Sequence, residues 1–194
     1  MATLTEIRRS TGSRIADPIA AVLARTGIGP NAVTSLSLLL SIVAAYMIAS
    51  GHFFSGGLLI LVSGLCDILD GALARATKKT TAFGAILDST ADRVSEALIF
   101  CALLIYYLPT QAAWQSLVIV ATMIGSFLVS YIRARAEGLG LACQVGLFTR
   151  AERVIVLAIG LMVNQVPIAL WVLLICVYVT VAQRLVHLRR QGNA

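Results

Sequence analysis

Charge is scarce in this chain. Of its 194 residues, 12% are Asp, Glu, Lys or Arg and 59% are hydrophobic, whereas a soluble domain carries about 25% charged residues. With a mean hydropathy of +0.91, that scarcity argues against an ordinary soluble domain and predicts an integral membrane protein. Cysteine is sparse too. Cys66, Cys101, Cys143 and Cys176 are far apart, with no CxxC and no Cys/His cluster, which argues against a zinc site or a disulfide framework. They read as small apolar fillers. No cleavable leader is expected, because the apolar residues after the polar, basic stretch 1–14 are interrupted by Asp17, Pro18 and Arg25. Internal repeats and low-complexity segments are lacking as well. The net charge of +6 would suit nucleic acid in a soluble protein. In a chain this apolar it points to anionic lipid and phosphorylated substrates, and no nucleic-acid partner is expected.

Charge is also missing from particular places. The turns near 51–55, 109–111 and 164–167 contain no Lys, Arg, Asp or Glu. These turns separate apolar runs at about 32–50, 56–76, 82–108, 112–136, 149–164 and 167–188, which are read as six spanning helices of roughly 20 residues. Ahead of them, residues 14–26 predict a short amphipathic helix along the membrane surface. Asp17 would cap it, Pro18 suits its first turn, Gly27 ends it, and Ile15, Ile19, Val22 and Leu23 recur at helical spacing. The expected organisation is an N-terminal segment, 1–30, and a six-helix domain, 31–190. Six crossings put every Lys and Arg on the side of the termini: four in 1–30, four in 75–93, four in 133–153 and three in 184–190. The positive-inside rule makes that side cytoplasmic, and the cell membrane is the expected location.

Against this background the acids stand out. Asp67, Asp70, Gly71 and Ala74 share one helix face, as do Gly84, Asp88 and Asp92. Each Asp at the centre of a membrane helix costs about 2.5–3.5 kcal/mol, so four facing lipid would cost on the order of 10 kcal/mol. Side by side, the two helices would instead turn all four acids to one polar cavity, with small residues leaving room. Compensating positive charge is required, and aspartate oxygens suit Mg²⁺, Mn²⁺ or Ca²⁺. An ion-coupled transporter or proton relay would use such acids too, and that alternative stands at this point. Gly71, Ala74 and Gly84 fit either a substrate against the backbone or close helix packing. Asn31 fits either helix capping or a ligand pocket.

The spacing Asp67-x2-Asp70-Gly71-x2-Ala74-Arg75-x8-Gly84-x3-Asp88-x3-Asp92 resembles, position for position, the signature of the CDP-alcohol phosphotransferases. The resemblance implies transfer of a lipid-phosphate group from a CDP-linked lipid to an alcohol, with release of CMP. It implies a pair of divalent ions, Mg²⁺ or Mn²⁺, held by Asp67, Asp70, Asp88 and Asp92. Asp92 would also be the general base, which with Asp88 makes up the catalytic pair. Asn31, Thr34, Asp67, Gly71, Ala74, Arg75 and Gly84 would meet the CDP-lipid. A homodimer surrounded by membrane lipid is implied as well.

The acceptor must be read from outside this signature. Arg133, Arg135, Arg150, Arg153 and Arg184 lie near cytoplasmic helix ends, and arginine forks match phosphate oxygens, which favours a phosphorylated alcohol over free serine or inositol. The segments 130–138, 146–153 and 180–184 resemble the phosphatidylinositol-phosphate synthase branch of the family and its archaeal ether-lipid counterparts. That resemblance implies inositol 1-phosphate as acceptor, with Arg133, Arg153 and Arg184 binding its phosphate, and Arg150, one turn from Arg153 on the same helix face, is expected to join them. Members of that branch often carry Lys where this chain has Arg133. Glycerol 3-phosphate, giving phosphatidylglycerophosphate, is the competing acceptor.

Overall fold

The structure, a computed structural model, describes residues 18–78, 80–111 and 113–192. Among these residues all regular structure is helical. A short helix α1 at 18–25 is followed by α2 (Pro30–Ala49), α3 (Phe53–Ala76), α4 (Ala82–Tyr107), a 3-10 turn at Leu108–Thr110, α5 (Ala113–Gly138), α6 (Arg150–Met162) and α7 (Val166–Gly192). The predicted start of the first helix, with Ile15 and the cap at Asp17, lies outside the described residues. Its end is as expected: Gly27 turns the chain with φ +79°, a conformation that costs glycine little. The predicted apolar stripe of α1 is split. Ala20 is fully buried, with Leu23 beside it, against Val33, Ala72 and Leu73, while Ile19 and Val22 are exposed.

Two boundaries depart from the sequence reading. Phe53, Phe54 and Ser55 were expected in a turn, but α3 begins at Phe53. The Phe53 ring meets Tyr106 edge-on with centroids 4.6 Å apart, so packing pulls it into the helix and leaves Ser50–His52 as the turn. Asn31 does not cap α2. Gly29 takes the cap position and Pro30 the first turn.

Helix α2 packs on α3 and α4, α3 on α6, α6 on α7, and α5 on α4 and α7. Gly57 allows α3 to come close to the α6 backbone, since a Cβ there would stand 2.7 Å from the Ala158 carbonyl oxygen and 2.8 Å from Met162 Cγ. The main core, with Ile48, Phe100, Leu103, Ile119, Leu161 and Leu170, fills one end of the bundle. The end of α3 and the beginnings of α4 and α6 form the opposite, polar end. Outward faces are apolar, with Leu39, Leu65, Leu117, Trp171 and Ile175 all more than half exposed, as a lipid environment requires.

Among the described residues, four helices, α2, α3, α5 and α7, are long and apolar enough to cross a membrane. Helix α4 has 26 residues but carries Asp88, Asp92, Arg93 and Glu96. Helix α6 has 13 residues, about 20 Å of rise against a hydrocarbon core of about 30 Å.

Candidate active site

Local sequence fixes where the polar side chains begin. Helix α4 starts at a Thr81 cap, whose hydroxyl oxygen accepts the Gly84 N–H at 3.0 Å. That register puts Asp88 and Asp92 on one face of α4, within electrostatic reach of Asp67 on α3. Helix α6 starts at a Thr149-x-x-Glu152 capping box. Glu152 Oε2 accepts the Thr149 N–H at 2.7 Å and its hydroxyl at 2.5 Å. Arg150 and Arg153 are thereby set in the first turn of α6, aimed back at the acids.

All four predicted aspartates come together at the polar end and interact electrostatically: Asp70 with Asp67 and Asp88, and Asp92 with Asp67 and Asp88. Asp70 is 4% exposed, and its Oδ2 accepts the Thr34 hydroxyl at 2.6 Å. Asp67 Oδ1 accepts the Ser37 hydroxyl. Ser37 and Ser41 each lie 2.9 Å from the Ser63 hydroxyl. Among the described residues, no three Asp, Glu, His or Cys side chains stand close enough to form a ready cation cage. A guanidinium takes that part: Arg150 Nη2 lies 2.6 Å from Asp67 Oδ2 and Nη1 lies 2.8 Å from Asp92 Oδ1. Arg93 adds a longer contact of 3.5 Å to Asp92. The physical reason is repulsion among four anions at the edge of an apolar bundle, which some cation must relieve. Asp67 Oδ2 is buried and accepts no aligned hydrogen bond, despite its short contact with Arg150. An all-oxygen donor set with one such oxygen suits a hard divalent ion.

Two cavities open beside the acids. One, of about 220 Å³, is lined by Asn31, Thr34, Gly71, Ala74, Arg75 and Gly84, and by Asp70 and Asp88. Six of the seven residues expected at the CDP-lipid therefore surround one space. The seventh, Asp67, lines the second cavity, of about 540 Å³, with Asp88, Asp92 and Arg150. Asp88 is shared by both. A Cβ at Gly71 would meet only Arg75 Nη1, at 3.5 Å, and one at Gly84 would meet the Thr81 cap oxygen at 3.0 Å and Asn31 Oδ1 at 3.5 Å. Neither would meet the backbone of a facing helix, as Gly57 would, and both line the first cavity.

The four arginines expected at the acceptor are distributed. Arg150 grips the aspartates. Arg153, 3% exposed, donates from Nε and Nη2 to the two oxygens of Glu96 at 2.7 and 3.0 Å. Arg184, equally buried, donates from Nε to the Val145 carbonyl at 3.0 Å and from Nη1 to the Val129 carbonyl. Arg133 is half exposed and pairs with Glu137 at 2.8 Å. Arg133 and Arg153 still both act electrostatically on Arg184. Sequence reasoning missed Ser37 and Glu96. Thr34, Ser37 and Ser41 recur at helical spacing, and Glu96 follows Asp92 by four residues, so both signals were present.

This arrangement has relatives. A phosphatidylinositol phosphate synthase of Mycobacteroides abscessus is 38% identical over 97% of this chain and 90% of that protein. An archaetidylinositol phosphate synthase of Pyrococcus horikoshii is 36% identical over 89% and 90%. Among solved structures, the Mycobacterium tuberculosis phosphatidylinositol phosphate synthase with CDP-DAG bound superposes with a TM-score of 0.80 at 34% identity, covering 89% of this chain and 92% of that one. The same enzyme in complex with manganese and citrate gives 0.79 at 33%, covering 88% and 87%. The transporter alternative falls with these matches. The CDP-alcohol phosphatidyltransferase profile matches residues 28–187, and the chain belongs to that family.

Proposed function

We propose that the enzyme moves the phosphatidyl group of a CDP-lipid onto the hydroxyl of inositol 1-phosphate and releases CMP. One observation carries the reading: a single cavity gathers Asn31, Thr34, Gly71, Ala74, Arg75 and Gly84 around Asp70 and Asp88, and Asp88 joins it to the cavity that holds Arg150 of α6. The relatives' names supply the acceptor.

Asp67, Asp70, Asp88 and Asp92 would hold Mg²⁺ or Mn²⁺, as two ions, and such cations offset the charge of the diphosphate and polarise the phosphorus under attack. Arg75 meets the nucleotide phosphates, and the small residues Gly71, Ala74 and Gly84 let them approach the backbone. Thr34 and Ser37, through their hydrogen bonds to Asp70 and Asp67, keep those carboxylates aimed. Asp92 takes the proton of the acceptor hydroxyl as its oxygen attacks the phosphorus that bears the lipid. The new P–O bond forms while the bond to CMP breaks, and CMP leaves with the electron pair. Arg133, Arg150, Arg153 and Arg184 hold the phosphate of the acceptor.

The same reading makes α4 and α6 the fifth and sixth membrane crossings and lays α1 on the surface. It puts the basic helix ends in the cytoplasm and pairs the chain as a homodimer. Purified protein given CDP-diacylglycerol and Mg²⁺ should release CMP with inositol 1-phosphate. Release with glycerol 3-phosphate alone would overturn the acceptor, and release with neither would overturn the reaction.

A further inference from the structure

We infer that Glu96 is a positioning residue for the acceptor: it sets the guanidinium of Arg153 so that one edge faces a phosphate. The inference rests on the proposed function, because it needs an acceptor that carries phosphate.

Glu96 stands one turn beyond Asp92 on α4, so one helix face carries Asp88, Asp92 and then Glu96. Its carboxylate is 8% exposed and its partner 3%. Both oxygens are engaged by Arg153, through Nε at 2.7 Å and Nη2 at 3.0 Å. A two-point fork fixes the plane of the guanidinium as well as its position, and it leaves the Nη1 edge for a ligand. Arg150 lies one turn earlier on α6. Both arginines and Glu96 lie with Ser41, Ser63 and Ser95 at a small inner chamber of about 40 Å³ whose remaining walls are apolar, Ile60, Ile99 and Phe100 among them.

Two considerations make this more than a clamp between helices. Helix α6 is already fixed to the acid-bearing helices by Arg150, through Asp67 and Asp92, and to α3 at Gly57. A buried ion pair is also poor glue, since its desolvation cancels much of the attraction and apolar side chains would hold two helices as well. What Glu96 adds is direction. Without its charge, the next carboxylate on the α4 face is Asp92, and Arg153 would be drawn one turn along α4 into the aspartates.

The test compares Glu96→Gln and Glu96→Asp with the wild-type enzyme in detergent. KM is measured for inositol 1-phosphate and for CDP-diacylglycerol, and inorganic phosphate serves as a competitive inhibitor against the acceptor. Glu96→Gln should raise the acceptor KM at least tenfold, weaken phosphate inhibition in step, and leave the CDP-lipid KM within twofold. Glu96→Asp, which keeps the charge on a shorter arm, should fall between the two, and it carries the test alone if the Gln variant does not fold. Both KM values rising together, or an acceptor KM unchanged or lowered, would overturn the inference and leave Glu96 a structural clamp. A wild-type enzyme inactive on inositol 1-phosphate would instead overturn the proposed function and this inference with it.

Discussion

At the residue scale, hydroxyl partners of Asp70 and Asp67 separate a designed carboxylate site from a chance meeting of acids. Thr34 has no charge to contribute, yet it is buried and donates to Asp70 at 2.6 Å. Removing such a partner from a metal ligand costs about 10–100-fold in metal affinity or activity. Thr34→Val should therefore weaken Mn²⁺ binding by at least about tenfold with little change in thermal midpoint. Equal affinity in a titration followed by electron paramagnetic resonance would remove Thr34 from the site. Arg75→Ala should raise the KM of the CDP-lipid more than that of the acceptor, as it lines the cavity with Gly71 and Gly84. The opposite split, in the CMP-release assay, would move Arg75 out of the nucleotide pocket.

At the element scale, the glycines offer a paired experiment. A Cβ at Gly57 runs into Ala158 and Met162 on α6, whereas one at Gly71 reaches only the end of the Arg75 side chain. Gly57→Ala should destabilise the bundle by about 1–3 kcal/mol through overpacking. Gly71→Ala should leave the thermal midpoint unchanged or slightly raised while raising the KM of the CDP-lipid. A stable Gly57→Ala protein would show that α3 and α6 do not touch there. The α6 cap makes a third prediction. Thr149→Ala should cost about 1 kcal/mol and lower turnover as well, because the cap sets Arg150 and Arg153. Turnover that is unaffected would disconnect the cap from the site.

These elements also mark how far the sequence could be read. Asp67, Asp70, Asp88 and Asp92 were legible because helical spacing and the cost of burial leave them one direction to face. Gly71, Ala74 and Gly84 shared those faces, whereas Asn31, Thr34 and Arg75 were assigned by the family resemblance, and periodicity alone could not separate open space from packing at Gly71. The partners of the arginines were not legible. Arg150 and Arg153 are both basic residues at a helix end, and only the assembled bundle sends one to Asp67 and Asp92 and the other to Glu96. Helix ends were shifted where tertiary contact overrode turn chemistry, as when Phe53 meets Tyr106 edge-on.

Across the whole molecule, the bundle has an apolar core at one end and its carboxylates and buried arginines at the other. That polarity predicts topology. A cysteine placed at His52, in a background lacking the native four, should react with a membrane-impermeant maleimide on intact cells. One placed at Lys78 should react only after permeabilisation. Labelling of both from outside would overturn the cytoplasmic site. The central claim is that the aspartates of α3 and α4 gather a divalent ion in place of the Arg150 guanidinium. Mn²⁺ titration of the purified protein, read by electron paramagnetic resonance, tests it most directly. The account predicts bound Mn²⁺ in the wild type and its loss in Asp70→Asn and Asp88→Asn. Undiminished binding in both variants, or none in the wild type, would contradict it.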